Sequence, residues 1–145
     1  MATQAAYCTE LNVIENSRDF NGVTIPFTQS KYISSYDIVI KAGFDFKDIE
    51  WKVNGTSIEV ELPEAKILSS EIYFDSFKVY HEDESIFTQI TMTENNEEMK
   101  VSKQKAEEDA IANGLLKNAS TNAETILTVF FGGSYDLEKY EIIFK

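Results

Sequence analysis

Two hydrophobic periodicities divide this chain. Before Asn96, apolar and polar residues alternate over short stretches, as they do from Ala6 to Ile14 and from Tyr36 to Ala42. Alternation places successive side chains on opposite faces of an extended strand. The stretch from Asn96 to Phe131 instead has the character of a helix, and in its second half, from Ala112 to Phe130, apolar residues recur at spacings of three and four, which puts them on one stripe. The pattern therefore predicts strands followed by a long helical segment.

The clearest local signal is a β-hairpin centred on Asn54-Gly55. Alternating runs flank this dipeptide, starting at Trp51 on one side and ending at Leu62 on the other, where Pro63 stops the second arm. Asn-Gly between two alternating runs is typical of a two-residue hairpin turn.

The helical segment is too long for a compact domain. A continuous helix from Asn96 to Phe131 would be about 54 Å long, whereas a domain of this size has a radius of gyration of roughly 15 Å. Either the helix overhangs the domain or it breaks. Asn113-Gly114 can end a first helix, with Thr121 and Glu124 forming a capping box for a second. Alternatively, Gly114 only weakens a helix that continues through it.

Together these elements predict a single α+β domain that comprises residues 1–145. An antiparallel, hairpin-built sheet of about six or seven strands packs on one long C-terminal helix, or on a helix pair broken near Gly114. A last strand, which alternates from Tyr140 to Phe144, returns to the sheet. The stretch from Ile86 to Met92 fits either a short strand or the lead-in to the helix.

The charge balance narrows the range of partners. With 25 acidic and 13 basic residues, the net charge of −12 repels nucleic acid and anionic lipid headgroups. A single cysteine, Cys8, excludes an internal disulfide, and a single histidine, His81, excludes metal sites built on paired histidines. No apolar run approaches the roughly 20 residues that span a bilayer.

Candidate chemistry is sparse, and no motif indicates a catalytic residue or a cofactor. The densest acidic run, Glu82, Asp83 and Glu84 beside His81, is a weak candidate for binding a cation, because carboxylates can bind calcium when a loop brings them together. The run lacks the spacing of an EF-hand loop, and a solvated acidic loop is the default interpretation.

One apolar surface is a candidate for binding a partner. Phe130 and Phe131 form the most apolar end of the helical segment, and Ala106 and Ala110 line its first half. Packing in the core is the simpler interpretation of these residues. The alternative is that they dock a partner protein or a second copy of the chain.

Several stretches together resemble one bacterial family, catalogued as domain of unknown function 4230. They are Tyr36-Asp37, Lys41 to Phe46, Leu62 to Leu68, and Ala106-Glu107-Glu108 running on to Gly114-Leu115-Leu116. The similarity covers nearly the whole chain, from about Tyr7 to Phe144. The resemblance implies a membrane-spanning helix upstream of this domain and a place on the extracytoplasmic side of the bacterial membrane. It implies no activity and no catalytic residues.

We therefore expect a non-enzymatic interaction or sensing domain, tethered to the membrane by an anchor that lies upstream of the residues given. Its partner is either an unknown protein or a second copy of the chain. The alternative is a small-molecule-binding or hydrolytic domain whose site is assembled from distant residues. Such a site leaves no local motif in a sequence.

Overall fold

The structure is a computed structural model, and it describes the backbone of residues 1–16, 19–20, 22–24, 30–83 and 92–145. These residues form an α+β fold, as the sequence predicts. The strands are β1 (Ala2–Asn16), β2 (Asp19–Phe20), β3 (Val23–Thr24), β4 (Ser30–Gly43), β5 (Glu50–Asn54), β6 (Ser57–Glu61), β7 (Lys66–Asp83) and β8 (Glu141–Phe144). The helices are α1 (Met92–Ala112) and α2 (Leu115–Gly132), and a single 3-10 turn occupies Phe46–Asp48.

The strands form several sheets, so the prediction of one hairpin-built sheet is wrong. One sheet has the order β1-β4-β7, a small antiparallel ribbon joins β2 to β3, and a third sheet has the order β5-β6-β8. The hairpin β5-β6 forms as predicted, with Asn54 opposite Ser57. The final strand returns to a sheet but runs parallel to β6, with Ile142 opposite Ile58. Alternation predicts that a strand forms but does not identify its neighbour.

The helical segment breaks at Gly114, which confirms the predicted alternative of a helix pair broken near Gly114 and excludes one continuous helix. Gly114 has φ 92°, a left-handed conformation that glycine adopts without a steric penalty. Its N–H donates to the carbonyl of Ile111, and its own carbonyl accepts from the N–H of Asn118, the first turn of α2. The second helix therefore begins at Leu115, and Thr121 lies inside it, where the hydroxyl donates to the carbonyl of Lys117.

The chain divides into two compact units, neither of which is a continuous stretch of sequence. Unit 1 comprises Met1–Ala6, Ile40–Ser69 and Ala110–Lys145. In it, α2 buries Leu115, Ala119, Ala123, Leu127 and Phe131, a set spaced four residues apart. The last two pack on Ile58 and Val60 of β6. One side of the β5-β6-β8 sheet is therefore covered by α2.

Unit 2 comprises Tyr7–Val39 and Ser70–Asp109. Tyr36 of β4 is fully buried and stacks on Phe77 of β7, with ring centroids 6.3 Å apart. Burial raises the pKa of the Tyr36 hydroxyl, although the nearby side chain of Ser102 acts in the opposite direction. This proximity shows that α1 lies against the Tyr36 face of the sheet.

Candidate functional site

The most exposed aromatic cluster of unit 1 lies at the carboxyl end of α2. Phe131 is 2% exposed, but two of the rings that contact it are largely exposed: Trp51 is 52% exposed and Phe130 is 60% exposed. The Trp51 and Phe131 ring centroids are 5.3 Å apart, and those of Phe130 and Phe131 are 5.5 Å apart, both edge to face. We call Trp51, Phe130 and Phe131 the aromatic patch.

Local sequence explains how the patch forms. In the β5-β6 hairpin, Trp51 lies opposite Val60, so its ring is on the face that packs against α2. The buried stripe of α2 ends at Phe131. The preceding residue, Phe130, lies outside this stripe and is exposed. Gly133 then caps the helix by donating its N–H to the carbonyls of Val129 and Phe130. The patch therefore remains accessible to solvent.

The opposite face of the same hairpin is charged. Glu59 of β6 binds two lysines at once: Lys52 Nζ lies 2.9 Å from Oε2 and Lys145 Nζ lies 3.2 Å from Oε1. The hydrogen bonds that Lys52 and Lys145 donate to Glu59 hold the pKa of its carboxyl group below the ordinary value, and the same bond to Glu59 raises the pKa of Lys52. Since one carboxylate engages both ammonium groups, neither lysine is free to bind an anion.

Two further carboxylates lie beside these ion pairs. Glu50 and Glu61 are direct cross-strand partners in the hairpin, and neither forms an ion pair with any residue that the structure describes. Like charges placed opposite each other destabilise a strand pair. Both glutamates line a shallow pocket of about 200 Å³ together with Trp51, Lys52 and Lys145.

The residues predicted as a partner surface have different positions in the structure. Ala106, Ala110 and Phe131 are buried, whereas Phe130 is exposed and accessible to a partner. The buried Phe131 ring packs against the rings of Phe130 and Trp51. Trp51 was not among the predicted site residues, because alternation in a hairpin predicts only that its ring shares a face with Val53. The sequence does show one unusual feature at this position: the single tryptophan of the chain follows a glutamate in a short strand.

The predicted acidic run is only partly covered by the structure. Glu82 and Asp83 lie in the last residues of β7, but their side chains are outside the described residues, and so is the whole of Glu84. Elsewhere in the described chain, no group of three or more His, Cys, Asp or Glu side chains is placed to hold a metal ion. Cation binding by this run stays a prediction.

A family model described as "Protein of unknown function (DUF4230)" matches residues 1–142. The chain belongs to the DUF4230 family. This confirms the resemblance inferred from the motifs between Tyr36 and Leu116. No curated protein and no solved structure matches the chain. Neither α1 nor α2, the helices of the described part of this DUF4230 chain, combines the length and apolar character that a bilayer crossing requires.

Proposed function

We propose that this DUF4230 domain is a non-enzymatic interaction domain that binds a protein segment through the aromatic patch. The observation that carries the proposal is the exposure of Trp51 and Phe130 on either side of the buried Phe131 ring. Aromatic side chains at the centre of a contact contribute most of the binding free energy in many protein interfaces. A buried ring beneath them keeps both exposed rings in place before a partner arrives.

The charge of the chain defines the chemistry of the partner. Glu50 and Glu61 lie with Lys52 and Glu59 on the charged face of the hairpin, which is the opposite face from Trp51, so they are not part of the aromatic patch. The whole chain carries a net charge of −12, so its field attracts basic partners and repels acidic ones. The partner that fits is a basic segment whose apolar side chains contact the aromatic patch and whose lysine or arginine residues match the net negative charge of the chain.

The single tryptophan of the chain makes the proposal directly testable, because Trp51 is the only source of indole fluorescence. A synthetic amphipathic peptide of leucine and lysine should shift the emission of Trp51 to shorter wavelength in a saturable titration. The same peptide with glutamate in place of lysine should not. No shift with the basic peptide at millimolar concentration would reject the proposal.

A matched pair of variants localises the contact. Phe130→Ser should weaken binding of the basic peptide by roughly tenfold or more, since a buried aromatic contact contributes at least about 1.4 kcal/mol. Phe46→Ser is the control, because Phe46 is a phenylalanine of unit 1 with nearly the same exposure and has no ring contact with the patch. Equal losses for the two variants would show nonspecific apolar binding instead.

The same proposal includes tethering on the extracytoplasmic side of a bacterial membrane. What supports it is the family, whose members typically carry a membrane-spanning helix before this domain. The test is to fractionate the native bacterium and probe intact cells with a protease. The protein should sediment with membranes, and the protease should reach this domain only after the outer barrier is opened. Recovery in the cytosolic fraction would contradict the tether.

The alternative of a small-molecule-binding or hydrolytic domain has weaker support. The pocket over the hairpin has a volume of about 200 Å³, below the range of about 300–1,000 Å³ that is usual for ligand sites. A thermal-shift screen against metals, nucleotides, sugars, lipids and amino acids tests this alternative, because a ligand of the folded state raises the melting temperature.

A further inference from the structure

Strand β1 lies at an edge of the β1-β4-β7 sheet, and its solvent-facing side is unusually apolar. Two side-chain contacts define which residues share a face: Thr9 Oγ1 donates to Asp37 Oδ1 at 2.7 Å, and Lys31 Nζ lies 2.9 Å from Glu15 Oε1. From the first contact to the second, the residue number increases along β1 and decreases along β4, so the two strands are antiparallel. Alternation from Thr9 then puts Tyr7, Leu11 and Val13 on this face as well.

We call this surface of unit 2 the Tyr7 face. Tyr7 is 79% exposed and Leu11 is 62% exposed, and Val13 is exposed as well. On the other side of β1, Asn12 and Ile14 are buried. The more apolar side of β1 is therefore the side that faces solvent, which reverses the arrangement usual for a half-covered sheet.

The free edge of β1 also lacks the features that normally prevent strands from pairing. Natural edge strands are short or carry lysine, proline or a bulge. From Tyr7 to Glu15 the strand has no lysine and no proline, and its charged residues are Glu10 and Glu15, of which Glu15 is paired with Lys31. Within the described residues, no backbone hydrogen bond joins this stretch to any element other than its own sheet.

We propose that β1 pairs antiparallel with β1 of a second copy of the chain, through residues Tyr7–Glu15, and so joins two three-stranded sheets into one. An antiparallel strand is complementary to itself about a two-fold axis, so a second copy supplies a matching edge without any further adaptation. The register that places Leu11 opposite Leu11 of the second copy also places Glu10 opposite Asn12. This register avoids a Glu10–Glu10 repulsion across the axis.

The charges on the Tyr7 face also favour a second copy as the partner. Among the side chains that the structure describes there, Glu15 and Asp37 are balanced by Lys31 and by Lys78, which shares the face of Tyr80. Tyr80 belongs to the Tyr7 face because its hydroxyl accepts from Ser35 Oγ. A chain with net charge −12 strongly repels its own copies over most orientations. A neutral face is a surface on which two copies can meet.

The length of the contact sets the expected strength. Residues Tyr7–Glu15 span about 30 Å at about 3.3 Å per residue, and one strand edge with its side chains buries less than the roughly 1,200 Å² of a standard interface. The dimer should therefore be weak, with a dissociation constant in the micromolar range.

Sedimentation equilibrium over micromolar to millimolar concentration is the decisive experiment. Wild type should show a reversible monomer–dimer equilibrium. Leu11→Lys, which places two ammonium groups against each other at the axis, should raise the dissociation constant by roughly tenfold or more. Phe74→Lys changes an equally exposed apolar residue of β7 and should leave the constant unchanged. A monomer at every concentration, or a dimer that Phe74→Lys disrupts and Leu11→Lys does not, would overturn the proposal.

A cross-linking measurement covers the case in which Leu11→Lys alters the fold. In a Cys8→Ser background, Leu11→Cys should form a covalent dimer under mild oxidation, because the two thiols lie opposite each other at the axis. Phe74→Cys in the same background is the control and should stay monomeric. Equal cross-linking of both variants would show random collision rather than strand pairing.

Discussion

The Glu59 carboxylate lies 2.9 Å from the Lys52 ammonium, directly across the β5-β6 strand pair. Together with Lys145, this hydrogen bond holds the pKa of Glu59 below its ordinary value of 4.5 in the folded protein. A lowered pKa means that folding favours the ionised carboxylate. The stabilisation is complete above about pH 4.5, the value in the unfolded chain, and is lost as the pH falls through the pKa of the folded state.

The first prediction follows from that dependence. Glu59→Gln should lower the melting temperature at pH 7, because both lysines lose their anion, and the difference from wild type should shrink as the pH falls below 4.5. Melting curves recorded by circular dichroism from pH 7 to pH 3 measure it. Glu64→Gln, at an exposed residue after β6, is the control. A difference that stays constant with pH would contradict the assigned ion pairs.

A second prediction contrasts adjacent residues of α2. Leu127 is buried against Ile58 and Val60, so Leu127→Ala should cost about 2–5 kcal/mol of unfolding free energy. Ile126 is nearly half exposed, and Ile126→Ala should cost about 1 kcal/mol or less. Urea unfolding of the two variants measures both values. Similar losses would mean that the helix is rotated from the position described.

Close packing of two main-chain segments gives a third prediction. A Cβ atom on Gly43 would overlap the carbonyl oxygen of Met1, which accepts a hydrogen bond from the N–H of Phe44. Gly43→Ala should therefore destabilise the fold by about 1–3 kcal/mol. Gly133→Ala is the control, since Gly133 has φ −74° and a Cβ there meets only an ordinary contact with Phe130. Tolerance of both substitutions would exclude the close approach.

The fourth prediction concerns Cys8. Burial raises the pKa of its thiol above the ordinary 9.0, and the carboxylates of Glu10 and Asp109 act in the same direction. The rate of alkylation by iodoacetamide should therefore reach half its maximum above pH 9.0 in the folded protein, because the thiolate is the reactive form. The urea-unfolded chain provides the reference. Identical pH profiles in both states would show that Cys8 is not buried.

Local patterns predicted the elements well where the signal was confined to neighbouring residues. The hairpin turn at Asn54-Gly55 forms as predicted, and Gly114 breaks the helix because glycine takes a positive φ without strain. Each of these depends on backbone chemistry within a few positions. Such features can be read from a sequence without knowing what lies next to them.

Strand β7 shows where local chemistry misleads. Asp75-Ser76 is typical of a turn, yet the strand continues from Lys66 to Asp83. The Ser76 hydroxyl donates to the carbonyl of Tyr73 and accepts from the N–H of Asp37 on the neighbouring strand. The polar side chain thus takes part in the pairing of β4 with β7. That role depends on a partner nearly forty residues away, so the local pattern does not reveal it.

The candidate site was predicted less well than the fold. The sequence predicts Phe130, but not Trp51, as part of a partner surface, because both rings meet Phe131 only when α2 packs on the hairpin. The sequence also does not predict which side of β1 is buried. Alternation assigns the residues to two faces, and the packing of α1 decides which of the two faces is covered. Unusual exposure of an apolar face is visible only when the neighbours are known.

The parallel pairing of β8 with β6 constrains the order in which unit 1 is completed. Ile58 finds Ile142 only after roughly 80 further residues have been synthesised, which takes about 4–16 s at ordinary elongation rates. Until α2 and β8 have been synthesised, the apolar side of the β5-β6 hairpin has neither the helix that covers it nor its third strand. During synthesis this hairpin is therefore exposed to aggregation until the residues of α2 and β8 emerge.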